Sequence, residues 1–290
     1  MKKILVIGSE GQLGSELKLL HSNFDKAEFT FTTIESLDVT NQTDLTNQIT
    51  SDSYSYIINC TAYTAVDKAE SDQALADQIN HQALKTIGKS ASEIGAKVIH
   101  VSTDYVFDGT NYKPYTEIDV TSPNSVYGKT KLAGEKALMN ANANSIILRT
   151  SWLYSMFGNN FVKTMLTLGK ERSDLNVIFD QVGSPTFARD LAKVILNIIE
   201  KDITFEISFQ SGIYHYSNEG VCSWFDFTRT IHEIANITCN VKPIESKDYP
   251  TAAPRPHYSV LNKSKIKTVY NVDIPYWKDS LKECIANINQ

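Results

Sequence analysis

A tyrosine and a lysine four residues apart are the side chains in this sequence best suited to proton transfer. Tyr127 and Lys131 fall within a helical pattern, and residues four apart lie on the same face of a helix. An ammonium group beside a phenol favours the phenolate, so it lowers the phenol pKa from its usual value of about 10 toward neutrality. The pair therefore predicts acid–base chemistry at Tyr127.

The same spacing is common on solvated helix faces, so a second feature is needed to favour a catalytic role. Ser102, Thr103 and Asp104 follow a buried, strand-like run upstream of the tyrosine. Sheets of the parallel, doubly wound type place their chemistry at the ends of such strands. The combination favours a catalytic site over a solvated helix face.

Three glycines near the N-terminus predict a phosphate-binding turn. Gly8, Gly11 and Gly14 directly follow the apolar run 4–7 and open a helical pattern. Their spacing differs by one residue from the usual dinucleotide fingerprint, but such glycines still let main-chain N–H groups and a helix N-terminus face a pyrophosphate. A purely structural turn is the alternative. The position straight after a first buried strand favours a nicotinamide dinucleotide.

The second predicted strand, 29–33, bears on the choice of cofactor. It ends without an acidic residue, where Asp or Glu would bind the ribose 2′-hydroxyl and repel a 2′-phosphate. NADPH is therefore compatible with the sequence, and NADH stays open. Asp38 and Val39 could flank the adenine, and a turn or cap residue is the alternative for Asp38.

Short apolar runs alternate with longer helical patterns through the first half of the chain. The predicted strands span 4–7, 29–33, 56–60, 97–102 and 145–148. The predicted helices span 12–21, 43–49, 74–94 and 127–140. This alternation is typical of βαβ units. It predicts an α/β fold with a Rossmann-type, doubly wound parallel sheet in residues 1–150.

After residue 150 the alternation loosens, which predicts a smaller, mixed C-terminal lobe for substrate binding in residues 151–290. Helical patterns span 160–170, 189–200, 224–234 and 278–288, and a strand-like run spans 213–216. We expect the run 175–179 to add a strand to the main sheet. Ligands of doubly wound sheets bind at the carboxyl edge, which such a lobe would face.

Composition and charge argue against several other classes of protein. The 290 residues are 42% hydrophobic and 21% charged, as in ordinary globular proteins. The net charge of -5, with Lys and Arg spread along the chain, disfavours nucleic-acid binding. No run approaches the roughly 20 apolar residues of a membrane span. The four cysteines are far apart, as expected for free thiols in a reducing compartment, so we expect a cytoplasmic protein.

Several segments, taken together, resemble the extended short-chain dehydrogenase/reductase family. They are the glycine loop 8–14 and the segments 59–70, 102–109 and 127–131. The resemblance continues through 149–152, 158–161, 180–186 and 254–256, so it covers nearly the whole chain. Segments 59–70 and 102–109 are far more specific than the glycine loop.

The resemblance implies a reductase that transfers a hydride from NADPH, or NADH, to C4 of a 4-keto-6-deoxyhexose carried on dTDP. Tyr127 would donate a proton to the developing alkoxide, and Lys131 would hold the nicotinamide ribose and tune Tyr127. Thr103 would hydrogen-bond to the carbonyl oxygen or to Tyr127, with a structural strand-end role as the alternative. The implied partner is a nucleotide sugar, and the protein would be a monomer or a homodimer.

The resemblance also assigns binding residues. Those that would line the cofactor, besides Tyr127 and Lys131, are Gly8, Gly11, Gln12, Leu13, Gly14, Asp38, Val39, Ala62, Tyr63 and Thr64. Those that would meet the sugar or the nucleotide are Thr103, Asp104, Tyr105, Trp152 and Arg255. Trp152 could instead belong to the core. Arg255, between two prolines, suits pyrophosphate oxygens but could be a surface loop residue.

A metal site is not expected. Some members of the family bind Mg²⁺ through carboxylates at a dimer contact, and Glu16 and Asp190 could contribute to such a site here. Arg189 stands where a second acid would be needed, and a hard divalent cation wants several oxygen ligands.

Two other functions stay open at this stage. An epimerase or dehydratase for another nucleotide sugar shares the fold, but a dehydratase would want an Asp-Glu pair, whereas Thr103 is followed by Asp104 and Tyr105. A non-catalytic regulatory subunit, like that of methionine adenosyltransferase, resembles the same family. Intact Tyr127 and Lys131 do not exclude that role.

Overall fold

The computed structural model describes residues 1–288. In chain order, the strands of that part are β1 (Lys2–Ile7), β2 (Ala27–Thr32), β3 (Tyr56–Asn59), β4 (Lys97–Thr103), β5 (Ser145–Thr150), β6 (Leu153–Tyr154), β7 (Asp174–Ile178), β8 (Val182–Gly183), β9 (Thr186–Phe187), β10 (Gly212–His215), β11 (Cys222–Ser223) and β12 (Asn240–Ile244). The helices are α1 (Gln12–Leu20), α2 (Gln42–Thr50), α3 (Val66–Ala69), α4 (Gln73–Asp77), α5 (Ala83–Glu93), α6 (Val126–Ala141), α7 (Phe161–Glu171), α8 (Ala188–Ile203), α9 (Trp224–Ala235), α10 (Ser264–Tyr270) and α11 (Trp277–Ile288).

Six parallel strands form the main sheet of the described chain, in the spatial order β2, β1, β3, β4, β5, β10. Strand β1 pairs with both β2 and β3, so the order of connection reverses beside β1. Sheets of this kind bind their ligands outside the carboxyl ends of the strands at such a reversal. The predicted Rossmann-type, doubly wound sheet is confirmed.

The residues of β1 alternate between two apolar layers, as a sheet covered on both faces requires. Ile4 and Val6 pack in one layer with the apolar side chains of α1 and α8. Leu5 and Ile7 pack in the other layer with those of α2 and α5. All four side chains are fully buried. The uninterrupted apolar run at the start of the chain is therefore explained by burial on both sides.

The smaller lobe has a core of its own. Helices α7, α9 and α11 contribute apolar side chains to it, and the strand pair β7 and β12 contributes Leu175, Val177 and Val241. Short strand pairs join β6 to β9 and β8 to β11. This core lies in sequence beyond β5, where the prediction placed the substrate lobe.

The prediction that residues 175–179 add a strand to the main sheet was wrong. Strand β7 pairs with β12 inside the lobe. Its buried residues alternate with exposed ones, which is the pattern of a strand covered on one face only, whereas the inner strand β3 is buried throughout. The sixth strand of the main sheet is instead β10, so this sheet is not complete at residue 150.

The predicted helix 74–94 is also not continuous. Residues 78–82 form a π-helical turn between α4 and α5. Such turns are rare overall, and those that occur are often found at functional sites.

In the part of the chain that the structure describes, no helix is both long enough and apolar enough to traverse a bilayer.

Candidate active site

The first turn of α6 places Tyr127 against the carboxyl end of β4. Ser125 caps this helix by accepting a hydrogen bond from the Gly128 N–H at 3.1 Å. The buried ring of Tyr127 meets the ring of Tyr105 edge-on, with the ring centroids 5.4 Å apart. Capping and ring packing together determine where the phenol lies.

The phenol of Tyr127 is held in its protonated form. Burial raises the pKa of Tyr127 well above its usual value, and the facing Thr103 hydroxyl offsets only part of that rise. The sequence predicted a pKa lowered by Lys131, and that prediction was wrong. Lys131 Nζ is directed to the main-chain oxygen of Val101 at 2.7 Å, so burial decides the pKa of the phenol. A protonated phenol is the form that a proton donor needs.

Lys131 lies one turn further along α6 and is also buried. Its Nζ contacts the Val101 oxygen and lies 3.0 Å from Nε2 of His100. Burial lowers the pKa of Lys131 to about 8, and the charge of Glu135 opposes this shift. The charge of Lys131 can therefore change near physiological pH.

Thr103 ends β4, and the predicted substrate residues Asp104 and Tyr105 follow it in a short 3-10 turn. The Thr103 hydroxyl accepts from the Tyr105 N–H at 3.2 Å and donates to Asp104 Oδ1 at 2.9 Å. Burial raises the pKa of Asp104 to about 6, although hydrogen bonds to its carboxylate oppose the rise. The structure thus brings Thr103, Asp104, Tyr105 and Tyr127 together at one edge of the sheet.

A buried ion pair that the sequence analysis missed supports this edge. Glu135 Oε1 accepts from the Ser102 hydroxyl at 2.5 Å, and Glu135 Oε2 accepts from Arg149 Nη2 at 2.7 Å. These three residues join β4, α6 and β5, and all are buried. The only signal in the sequence was that Glu135 extends the four-residue spacing of Tyr127 and Lys131.

The glycine loop forms a close turn between β1 and α1. Gly8 has φ +83°, a left-handed conformation, and a Cβ there would lie 2.7 Å from the methyl group of Thr61. A Cβ on Gly14 would lie 2.3 Å from the Gly8 oxygen. The two glycines therefore allow an approach of main chain to main chain that any side chain would block.

This turn leaves donors free for a phosphate. The first intrahelical hydrogen bond of α1 runs from Ser15 N–H to the Gly11 oxygen, so the N–H groups of Gln12, Leu13 and Gly14 have no acceptor within the helix. Gly11 is the N-cap and offers no side chain to satisfy them. A helix N-terminus with free N–H groups attracts anions. These residues fit the pyrophosphate of a dinucleotide.

Asp38 and Val39 follow β2. The Asp38 Oδ1 atom accepts from the N–H and the hydroxyl of Thr40, at 2.9 and 2.8 Å, which is the turn role weighed as the alternative. Val39 is buried in the core layer that contains Leu37 and Leu45. The carboxylate of Asp38 is nevertheless exposed, so the turn role does not occupy the whole group.

Ala62, Tyr63 and Thr64 follow β3 and are held by a residue that the sequence analysis missed. Asn80 accepts from the Tyr63 N–H at 2.9 Å and donates to the Tyr63 oxygen at 3.2 Å. It also donates to the Thr130 hydroxyl on α6 at 3.1 Å. Asn80 lies on the π-helical turn, which no feature of the sequence indicated. The turn links the loop after β3 to helix α6.

Trp152 and Trp224 form a stacked pair at the start of the lobe. Their ring centroids are 3.5 Å apart and their planes differ by 9°. Trp152 has φ +49°, which is uncommon for a bulky residue and usually marks a functional or strained position. Both rings are half-buried and pack against the core of the smaller lobe. Trp224 was not predicted.

Arg255 is tied to the loop after β3 and is not a free surface arginine. Its Nη2 donates to Asp67 Oδ2 at 2.5 Å, and Asp67 Oδ1 accepts from the Ala253 N–H at 3.0 Å. Arg255 shares a small cleft with Tyr105. Burial raises the pKa of the Tyr105 phenol, and the Arg255 charge opposes that rise. Arg255 therefore lies beside the predicted substrate residues.

The carboxylates considered for a metal are already engaged by the chain itself. Glu16 accepts from the Ser155 hydroxyl at 2.6 Å and from Arg189 Nε at 2.9 Å. Asp190 Oδ2 accepts from Ser280 Oγ at 2.6 Å and from a buried amide. Across residues 1–288, no group of three or more metal-ligating side chains is found. A guanidinium beside Glu16 does not fit a divalent cation site.

Comparison with known proteins assigns the family. A family model described as RmlD substrate binding domain matches residues 1–290. A dTDP-4-dehydrorhamnose reductase from Aggregatibacter actinomycetemcomitans is 39% identical over 293 residues, covering 99% of each chain. A crystal structure of a dTDP-4-dehydrorhamnose reductase from Clostridium acetobutylicum has a TM-score of 0.92 and 40% identity, covering 99% of this chain and 100% of that one.

A second solved structure is that of a dTDP-4-dehydrorhamnose reductase from Bacillus anthracis in complex with NADP. It has a TM-score of 0.91 and 36% identity, with 99% of this chain and 100% of that chain covered. Since the family model spans all 290 residues and these relatives align along nearly their whole length, the chain belongs to the RmlD family of dTDP-4-dehydrorhamnose reductases.

Proposed function

We propose that this chain reduces dTDP-4-dehydro-6-deoxy-L-mannose to dTDP-L-rhamnose with a nicotinamide cofactor, the last step of dTDP-L-rhamnose synthesis. The observation that carries the proposal is the meeting of Thr103 and Tyr127 at the carboxyl end of β4, with Lys131 one helical turn away. The glycine turn after β1 opens at the same edge of the sheet. The names of the relatives and the NADP complex of the Bacillus anthracis protein support it.

The chemistry divides between cofactor and protein. When bound, the reduced nicotinamide supplies a hydride for C4 of the sugar. The Tyr127 phenol, kept protonated by burial, donates its proton to the former keto oxygen. With substrate bound, the Thr103 hydroxyl would donate its hydrogen bond to the same oxygen, where negative charge develops, in place of Asp104. Lys131 would bind the ribose hydroxyls next to the nicotinamide and, when charged, would stabilise the Tyr127 phenolate.

Binding roles follow from position. Gly8, Gly11, Gln12, Leu13 and Gly14 would hold the cofactor pyrophosphate, and Ala62, Tyr63 and Thr64 would lie along its remaining length, with Asp38 and Val39 near the adenine. Asp104 and Tyr105 would contact the sugar. Trp152, supported by Trp224, would give the substrate a flat aromatic surface. Arg255, held by Asp67, would bind the diphosphate.

We propose NADPH as the preferred cofactor, with NADH as the alternative. Strand β2 ends in Thr32, so no carboxylate at that strand end repels a 2′-phosphate. We also expect the protein to act in the cytoplasm as a monomer or a homodimer. Size-exclusion chromatography with light scattering distinguishes these two states.

The test is turnover by the purified chain. Oxidation of NADPH and of NADH is followed with dTDP-4-dehydro-6-deoxy-L-mannose as the substrate, and the product is identified by NMR. The control substrate is dTDP-4-dehydro-6-deoxy-D-glucose, which differs in stereochemistry. We expect reduction of the first substrate, faster with NADPH.

Two results would contradict the proposal. Conversion of a dTDP-sugar with retained cofactor and no net oxidation would favour an epimerase or dehydratase. Failure to turn over any dTDP-keto-sugar, together with tight binding of another protein, would favour a regulatory subunit.

A further inference from the structure

A chain of buried polar side chains runs from Lys131 into the sheet, and the proposed mechanism does not use it. His100 of β4 and Asn59 of β3 are paired in register, and both are fully buried. His100 Nε2 lies 3.0 Å from Lys131 Nζ, and His100 Nδ1 lies 3.1 Å from Asn59 Nδ2. The chain ends at Thr61, which contacts the glycine turn.

The orientation of the Asn59 amide is determined by its other contact. Asn59 Oδ1 accepts from the Thr61 N–H at 3.1 Å and from the Thr61 hydroxyl at 2.7 Å. A main-chain N–H can only donate, so an oxygen must face it. The amide NH₂ group therefore faces His100 Nδ1 and donates to it. A neutral imidazole that accepts at Nδ1 carries its proton on Nε2.

This tautomer determines what Lys131 can do. The Nε2–H of His100 points at Lys131 Nζ, and an ammonium group has donors but no acceptor. A charged Lys131 would thus set two donors face to face at 3.0 Å. A neutral amine accepts from His100 with its lone pair and still donates to the Val101 oxygen at 2.7 Å. Each of these contacts then joins a donor to an acceptor.

Burial is the main reason that the His100 ring stays neutral. Burial holds the pKa of His100 well below its usual value, and the charge of Lys131 lowers it further, while the main chain of Asn59 opposes these effects. Glu135 on α6 favours a charged Lys131, but its carboxylate is shared with Arg149 of β5 and Ser102 of β4. Asp104, at the end of β4, acts on Tyr127 rather than on His100.

We propose that His100 is a positioning residue that donates its Nε2–H to Lys131 Nζ. This hydrogen bond holds the amine against the Val101 oxygen and favours the neutral form of the lysine. A bound cofactor offers hydrogen-bond acceptors to the ammonium group and so favours the charged form. The inference rests on the proposed function, because it assigns Lys131 to the cofactor ribose. Its consequence is that His100, and not Lys131 alone, sets the pH at which the lysine becomes charged.

The first test needs no substitution. Protein labelled with ¹⁵N-histidine and freed of nucleotide is titrated by NMR between about pH 6 and pH 8, the range in which an ordinary histidine loses its charge. We expect the His100 signals of a neutral ring protonated at Nε2 throughout. Protonation at Nδ1 instead, or a charged ring in this range, would overturn the inference.

The second test compares two substitutions at one position. His100→Gln places an amide oxygen near the position of Nε2, where it can accept from an ammonium group, whereas the shorter His100→Asn replaces only the Nδ1 side of the ring. In ¹³C-lysine NMR of the nucleotide-free protein, we expect the Lys131 titration to rise by about one pH unit in His100→Gln and by less in His100→Asn. Lys131→Met identifies the Lys131 signal.

His232→Gln is the matched control. His232 is also buried, and its Nε2 contacts the Met165 oxygen in the lobe at 3.0 Å. We expect this variant to leave the Lys131 titration unchanged. A folded His100→Gln protein with an unmoved Lys131 titration would contradict the inference. Should His100→Gln fail to fold by circular dichroism, the tautomer measured on the unsubstituted protein decides.

Kinetics separate this inference from the proposed function. We expect the alkaline limb of kcat/KM to move to higher pH in His100→Gln by the same shift as the Lys131 titration. If His100→Gln is active but neither the alkaline limb of kcat/KM nor the Lys131 titration moves, the role of His100 is overturned. The proposed reductase function then still stands. Absent turnover of dTDP-keto-sugars by the unsubstituted chain contradicts the reductase, while the two NMR titrations still decide the role of His100.

Discussion

The two ends of strand β4 hold the same pair of side-chain types in different surroundings. At the amino end, Lys97 and Tyr56 both donate to the carboxylate of Asp202, each at 2.5 Å. At the carboxyl end, Tyr127 and Lys131 lie one helical turn apart, and within residues 1–288 Lys131 forms no ion pair with a carboxylate. Both Tyr–Lys pairs lie at ends of the same strand, so the difference between them arises from the residues that they contact.

A carboxylate partner turns a tyrosine and a lysine into a structural unit, and its absence leaves them able to exchange protons. Burial raises the pKa of Asp202, but hydrogen bonds from Lys97 and Tyr56 outweigh it and leave that pKa below 3.8, so the carboxylate stays charged. At the other end, burial keeps Tyr127 protonated and lowers the pKa of Lys131 to about 8. Of these two groups, Lys131 is the one that titrates near physiological pH, and within residues 1–288 it has no ion-pair partner.

Replacing each tyrosine by phenylalanine gives the sharpest contrast. Tyr127→Phe removes the proton donor, and we expect kcat to fall by about 10²- to 10⁴-fold with the fold intact. Tyr56→Phe removes only a hydrogen bond to Asp202, so kcat should stay within about twofold of the unsubstituted enzyme, with a loss of roughly 1–3 kcal/mol in unfolding free energy. Steady-state kinetics and urea unfolding measure the two effects, and equal rates for both variants would contradict the comparison.

Removing the carboxylate at the amino end tests its structural role. Because its folded pKa is lowered, charged Asp202 stabilises the protein above its usual pKa of 3.8, and this contribution is lost as the pH falls through the lower folded value. We expect Asp202→Asn to lose about 1–3 kcal/mol at neutral pH, less than for a fully buried pair because Lys97 is partly exposed. The difference from the unsubstituted protein should shrink below about pH 4 in urea titrations. A difference independent of pH would argue against an ionised Asp202.

The smallest expected effect is the change of unfolding free energy with pH that arises from Lys131. Between its folded pKa of about 8 and its ordinary value of 10.5, the unfolded chain binds more protons than the folded one. Unfolding free energy should therefore rise with pH in this window. The gain, taken as the difference from Lys131→Met, should be on the order of 1 kcal/mol between about pH 8 and pH 10. A constant difference across that window would mean that Lys131 is charged in the folded protein.

The features that the sequence predicted well are those set by local pattern. The uninterrupted apolar run of β1, the glycines after it and the spacing of Tyr127 and Lys131 each specify their geometry within a few residues. The strand rhythm of the first half then determined the parallel sheet, because βαβ connections leave few arrangements open. Thr103 was predicted to lie at a strand end, and the structure places it there beside Tyr127.

The features that the sequence did not predict depend on distant partners. Asn80 reaches Tyr63 and Thr130 only because a helix contains a π-helical turn, which has no compositional signal. Strand β7 was assigned to the wrong sheet, because an apolar run does not show which strand it will pair with. The pKa of Tyr127 was predicted in the wrong direction because helix spacing says nothing about how deeply a side chain is buried.

Strand β10 joins the main sheet from far along the sequence, and this limits where the protein can be truncated. Strand β5 is an inner strand only because residues 212–215 return to pair with it, and helix α8 covers the face on which α1 packs. A fragment truncated at residue 150 would leave the amide groups of β5 available to other chains and a broad apolar surface open to water, which favours aggregation. A truncated protein that keeps the main sheet whole must therefore extend through β10. It then also contains the first part of the smaller lobe, which lies between β5 and β10 in the sequence.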